Sequence, residues 1–229
     1  MPTNSQLPTT DYTNLRYERK YRIEHASPSE VRTTLRAVPL SFQTSYPDRH
    51  INSLYLDTVS GHALADNLAG ISERFKFRIR WYGTDMGKAS KPFLEQKIKK
   101  NQLGAKIRLP LPDFEFTEGF DFSRFLQTNT PLSPNLQAVV LIQYLRTYFV
   151  SFDQKIRATI DSQLRFFAVQ GLRLLKNAFL EDPAIILEIK YDEKYDGDLD
   201  LVFQNLPYRV SKNSKFVGAM LRHYYSASS

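Results

Sequence analysis

The sequence predicts an α+β fold, mainly antiparallel β, with about eight strands and fewer, shorter helices. Three observations carry this reading. Polar and apolar residues alternate with period two along much of the chain, as strands require. Helical signals are confined to short segments. Positive charge collects on the polar side of the alternating segments.

The elements follow in order. Residues 16–24 read RYERKYRIE, with Arg16, Glu18, Lys20 and Arg22 on one side of a strand. Ser27-Pro28-Ser29-Glu30 is a capping box with Pro at the first helical position, opening a helix to about Val38. Residues 51–57 form a short strand and 58–68 a helix. Residues 73–82 alternate most cleanly: Arg74, Lys76, Arg78 and Arg80 face one way, Phe75, Phe77, Ile79 and Trp81 the other. In 93–99, Glu95, Lys97 and Lys99 oppose Leu94, Gln96 and Ile98; after a turn at 101–104, residues 106–109 supply the hairpin partner. Residues 133–142 read as a helix, 144–152 and 155–161 as a hairpin around Asp153 and Gln154, and 184–191 as a strand. Helices at 198–205 and 214–223 complete the set, and 84–91 and 111–131 read as loops. Residues 14–225 are expected to form one domain, between a disordered tail at 1–13 and a short tail at 226–229.

Composition narrows the chemistry. A chain of 229 residues with 42% hydrophobic and 24% charged residues is long enough, and apolar enough, for a core without staples. It has no cysteine, which excludes disulfide scaffolds, thiolate metal sites and cysteine nucleophiles. Residues 1–13 contain no Lys or Arg and do not resemble a signal peptide, and the longest aliphatic run, 138–142, is far too short to span a bilayer. A soluble, cytoplasmic protein is expected.

The net charge of +7 calls for an anionic partner. Fifteen Lys and Arg and five carboxylates lie on the polar strand faces, an excess of ten that exceeds the charge of the whole chain. One reading makes these ordinary solvated faces. Solvated faces usually mix both signs, because like charges repel across a ladder. In the other reading the cationic faces point inward, the strands curl into a barrel, and helices cover the apolar outside. Each close Arg–phosphate pair in such a lumen is worth ~4 kcal/mol before desolvation. Nucleic acid is the less favoured partner, because the aromatics alternate away from the cations.

Seven short motifs occur in an order that resembles the VTC polyphosphate polymerase domain, a branch of the CYTH-like triphosphate tunnel metalloenzymes. They are RYERKY (16–21), RIR (78–80), EQK (95–97), YLR (144–146), RATID (157–161), LEIK (187–190) and SKF (214–216). The resemblance spans about 14–225. It implies a closed, roughly eight-stranded tunnel barrel with helices outside, in which ATP donates its γ-phosphate to a growing polyphosphate chain. It also implies catalytic phosphate contacts from Lys20, Arg78, Arg80, Lys97, Arg146, Arg157 and Lys215, and substrate contacts from Lys106, Tyr144, Lys190 and Ser214. A divalent metal, Mn²⁺ or Mg²⁺, would sit on Glu188. Partners are ATP and inorganic polyphosphate, without nucleic acid or a membrane span in this chain; a membrane-protein partner is not readable from the sequence. A triphosphatase or polyphosphatase using the same tunnel, or a non-catalytic polyphosphate-binding module, are the alternatives.

Two departures from the family pattern stand out. Related triphosphatases and cyclases begin ExExK, whereas this chain has Arg16, Glu18 and Lys20, which argues against a two-metal hydrolase. SKF replaces the commoner SKY. Among single residues, Glu188 is either a metal ligand or half of an ion pair with Lys190, and the family order favours the metal. Glu18 is expected to separate Arg16 from Lys20, Glu95 to orient Lys97, and Asp161 to cap a turn. His25, His50, His62 and His223 share no ligand spacing, and 83–88 lacks the phosphate-loop pattern.

Overall fold

A computed structural model gives the fold, and the structure describes residues 16–100, 103–117, 120–170 and 173–227. The expected N-terminal tail and part of the 101–104 turn lie outside these. The strands are β1 (Arg16–Ile23), β2 (Gln43–Thr58), β3 (Glu73–Tyr82), β4 (Lys88–Ala89), β5 (Phe93–Lys100), β6 (Leu103–Pro110), β7 (Phe114–Glu115), β8 (Leu136–Val150), β9 (Arg157–Gln170), β10 (Arg173–Asp182) and β11 (Ile185–Asp192). The helices are α1 (Pro28–Ala37), α2 (His62–Leu68), α3 (Phe122–Asn129), α4 (Asp196–Gln204) and α5 (Lys215–Ala227). Nine strands make one antiparallel sheet in the order β1-β11-β9-β8-β2-β3-β5-β6, with β10 paired to the far half of β9; β4 and β7 pair separately.

Alternation places strand β3 at 73–82 and β1 to within a residue of the expected end. The capping box of α1 forms as read: Ser27 Oγ accepts from the Glu30 amide at 3.2 Å, and the Ser27 amide donates to Glu30 Oε2 at 2.7 Å. Several expectations fail: the described residues form eleven strands rather than about eight, among them β10, absent from the sequence reading, and β4 inside the supposed loop at 84–91. Residues 133–142 are not a helix; 136–142 begin β8, because an aliphatic run buried on both faces has no periodicity of its own and takes its form from its neighbours β2 and β9. The supposed loop at 111–131 contains α3, whose N-cap Asp121 accepts from the Arg124 amide. Helix α5, expected over 214–223, runs from Lys215 to Ala227.

The closed barrel also needs correction. The sheet curls until β1 comes beside β6, but among the described residues no ladder joins them. Instead Lys97 of β5 reaches Glu18 of β1 at 3.3 Å.

Parity sorts the sheet into two faces. The outer face buries Tyr21, Phe149, Ile160, Leu187 and Ile189 against α1 and α4. Further round, Leu54, Ile79, Trp81 and Leu94 pack against α3 and a cluster of phenylalanines that includes Phe114 and Phe122. Not all helices lie outside, however. Helices α2 and α5 pack on the inner face at one end of the strands, where Ile142, Phe166 and Ile186 meet Phe216, Ala219 and Met220. The inner face is apolar there, so α5 closes onto it for the same hydrophobic reason that draws α1 to the outside.

Candidate active site

The middle of the inner face is ionic. Register alone puts Glu18 opposite Lys190, Lys20 opposite Glu188, Arg78 opposite Glu95, and Arg146 opposite Asp161. Two buried carboxylates, Glu95 and Asp161, and a half-buried one, Glu18, organise the cations into knots.

Glu95, 0% exposed, accepts from Arg78 at 2.6 Å and Arg108 at 2.9 Å, with Lys106 at 3.2 Å and Arg80 at 3.6 Å. Burial alone would raise its pKa; these four cations reverse that and hold it far below the usual carboxylate range. Arg78 also donates to the Tyr55 hydroxyl at 3.0 Å, and Arg80 to Ser53 and to the Tyr144 hydroxyl, at 3.2 and 3.1 Å.

Asp161 is the centre of the second knot. Arg146 donates to it through two nitrogens at 2.5 and 2.7 Å, a bidentate pair, and Lys215 approaches at 2.5 Å. Against the cost of burial, Arg146 and Lys215 keep Asp161 ionised well below its ordinary range. Arg146 lies 3.6 Å from Glu188 as well.

Glu18 holds the third knot, with Lys97 at 3.3 Å and Lys20 and Lys190 each at 3.4 Å. Burial pushes its pKa up, but Lys97, Lys20 and Lys190 bring it well below normal. Lys190 also pairs with Glu188 at 2.9 Å. Ser214 sits at the head of α5, where its hydroxyl accepts from the Val217 amide at 3.4 Å and from Lys76 at 2.9 Å, leaving its own proton to donate.

Of the residues singled out from the sequence, the structure brings together Lys20, Arg78, Arg80, Lys97, Lys106, Tyr144, Arg146, Glu188, Lys190, Ser214 and Lys215. Arg157 stands apart: it is exposed near the start of β9 and makes no ion pair among the described residues. Two roles read from the sequence change. Glu95 does not orient Lys97, which pairs with Glu18. Asp161 is not a turn cap but a fully buried counter-ion, because β9 continues nine residues past it. Ser53 and Tyr55 went unrecognised; their polar parity on β2, matched to Arg80 and Arg78 across the ladder, was the available signal. Phe216, where a hydroxyl was missed, is buried and stacks on Tyr55 at 5.1 Å.

The three knots gather nine Lys and Arg around Glu18, Glu95, Asp161 and Glu188, so cations outnumber the carboxylates by five. The crowding is visible in the titration. Burial, then Lys20 and Arg74, pull Lys76 down to about 7. Burial, then Arg108 opposing the help of Glu95, brings Lys106 to about 8. Lys97 is lowered by Lys20 and then by burial. Burial would raise Tyr144, but Arg146 and Arg80 win and bring its hydroxyl to about 8. Cation crowding and burial lower these lysines, and the neighbouring arginines lower Tyr144, as expected where positive charge exceeds negative.

The VTC domain profile matches residues 15–224. Among solved structures, the fold is similar to that of a candidate adenylate cyclase from Vibrio parahaemolyticus, with a TM-score of 0.50, 10% identity, and coverage of 87% of this chain and 94% of that one. A candidate adenylyl cyclase from Hippeastrum, described as having a dominant triphosphatase activity, matches at a TM-score of 0.48 and 16% identity, over 91% and 96% of the two chains. A comparison with curated proteins finds no match.

Proposed function

The chain belongs to the VTC domain family, and on that premise we propose that it is a metal-dependent polyphosphate polymerase using ATP. The observation that supports this most is the surplus of cations converging on one curled face around Glu18, Glu95, Asp161 and Glu188, with no histidine in the cluster among the described residues. Phosphoryl transfer needs positioning and charge neutralisation more than covalent chemistry. A terminal phosphate oxygen of the acceptor chain is already ionised at neutral pH, so it attacks without a general base. It forms a bond to the γ-phosphorus as the bond from that phosphorus to the β,γ-bridging oxygen breaks, and the electron pair leaves on ADP.

In this reading Arg78, Arg80, Lys97 and Lys106 hold one stretch of phosphate, and Lys20, Arg146, Lys190 and Lys215 the other. The Ser214 hydroxyl and the head of α5 add donors with a favourable helix dipole, and Tyr144 takes Arg80 on its hydroxyl and Arg146 over its ring. Arg157, further out, meets the acceptor chain rather than the reacting phosphates.

The donor set suits a hard divalent cation, Mn²⁺ or Mg²⁺, on Glu188. Glu188 Oε1 and Glu18 Oε1 both reach the Lys190 ammonium, at 2.9 and 3.4 Å, so two carboxylate oxygens converge where positive charge is already accommodated. Such ions take one or two carboxylates and fill their shell with phosphate oxygens and water; among the described residues no group of three or more His, Asp or Glu offers a fuller cage. When bound, the ion neutralises charge on the phosphate oxygens.

Purified protein incubated with ATP and Mn²⁺ is expected to yield long polyphosphate on a gel with matching ADP, and Glu188→Gln to abolish it while leaving tripolyphosphate binding largely intact. Free phosphate without polymer would overturn the polymerase in favour of hydrolysis. Tight binding with neither product would leave a binding module.

A further inference from the structure

The two ends of the curled sheet differ. At one, α2 and α5 fill the inner face with apolar side chains. At the other, the inner face runs out into a cluster of tyrosines around Arg49. The Arg49 guanidinium lies over the rings of Tyr46, Tyr82 and Tyr148, at 5.0, 5.5 and 5.9 Å from their centroids. Tyr46 and Tyr148 meet edge to face at 6.1 Å. Strand β2 reaches this arrangement by breaking its ladder with β8 on both sides of Tyr46, so that an even and an odd residue, Tyr46 and Arg49, come to the same cluster. A bulge re-aims side chains at the cost of ladder bonds, which favours a functional cause.

Two features set the cluster apart from an ordinary surface stack. Tyr46 is 57% exposed and Tyr82 38%, a sizeable apolar area left in water. Arg49 is exposed too, and no carboxylate pairs with it among the described residues, unlike the arginines of the three knots. The cluster is also continuous with the ionic site, because Arg49 pairs in register with Arg146 and Tyr82 pairs with Ile51, itself opposite Tyr144.

We infer that this aromatic–arginine mouth stacks the base of a nucleoside triphosphate whose phosphates occupy the cationic knots. The inference rests on the reading of those knots as a phosphate site. Four residues separate Arg49 from Ser53, the partner of Arg80, a step of ~13 Å along the strand, within the span of an extended nucleoside triphosphate. The base turns to this end because the opposite end is occupied by α5. Rings and guanidinium planes read the π-face and not the hydrogen-bonding edge, so the site tolerates any base. It favours nucleotide over bare triphosphate without selecting adenine.

The test compares ATP, GTP and inorganic tripolyphosphate by calorimetric titration of the parent and of Tyr46→Ala/Tyr82→Ala, which changes no charge. The double variant is expected to lose roughly five- to hundred-fold in affinity for ATP and GTP alike, with tripolyphosphate within about two-fold. Tyr46→Trp should restore nucleotide affinity, and the single Tyr46→Ala, at the most exposed ring, covers the case in which the double variant fails to fold. Unchanged nucleotide affinity, or equal loss for all three ligands, would overturn the base site. Failure of the parent to bind tripolyphosphate would instead remove the phosphate site, and with it the premise.

Discussion

Glu95→Gln isolates the charge that holds the largest knot together. The substitution keeps the shape of the side chain and removes its negative charge, leaving Arg78 and Arg80, whose side chains are 15% and 6% exposed, without a counter-ion. Breaking a buried pair in this way costs about 3–5 kcal/mol. The contacts of Lys106 and Arg108, with side chains 42% and 49% exposed, are screened by water and add at most ~1 kcal/mol each. A chain of this size loses roughly 2–4 °C in Tm per kcal/mol, so the variant should melt roughly 6–20 °C below the parent. A polyanion should then act as a replacement counter-ion. The parent gains about 2.7 kcal/mol with ligand at a hundred times its Kd, and the variant should gain more, because its cations have lost their internal competitor. Circular dichroism melts of both proteins, with and without tripolyphosphate, read both quantities. A ligand-free variant melting within ~2 °C of the parent, or equal ligand-induced shifts in the two, would refute the reasoning.

Other predictions follow from single contacts. Lys76, drawn down to about 7, is mostly neutral at pH 8, so binding tripolyphosphate there should take up close to one proton, and affinity should fall as pH rises through 7; calorimetry in buffers of different ionisation enthalpy measures it, and Lys76→Met should abolish the uptake. Without ligand the same lysine binds its proton in the unfolded chain but not the folded one between pH 7 and its ordinary value near 10.4, so its contribution to stability improves as pH rises across that window. Trp81→Ala, emptying a fully buried site packed on Phe114 and Phe116, should cost about 3–5 kcal/mol in urea unfolding without altering the ionic face. Ser27→Ala removes the cap of α1, and about 1 kcal/mol of stability with it, while polyanion binding stays unchanged.

What the sequence by itself determined was local. Period-two alternation named the strands from Arg16, Glu73, Phe93 and Ile185 and assigned each side chain to a face, because a strand's geometry leaves only two faces to choose from. The cap of α1 was equally legible, since its whole hydrogen-bond pattern lies within four residues. Where the local signal was ambiguous the reading failed: the aliphatic run 138–142 suits a helix or a buried strand equally, and only the neighbours β2 and β9 decided between them. The tertiary structure alone decided which charges meet. Glu18 and Lys97 are 79 residues apart, Lys76 and Ser214 138, and no spacing rule reaches that far. Each carboxylate found its cations only when the sheet had curled, and α5 lay inside rather than outside because the inner face happens to turn apolar at one end. Alternation states which residues share a face; the curvature of the sheet, set by packing on both sides, determines what that face encloses.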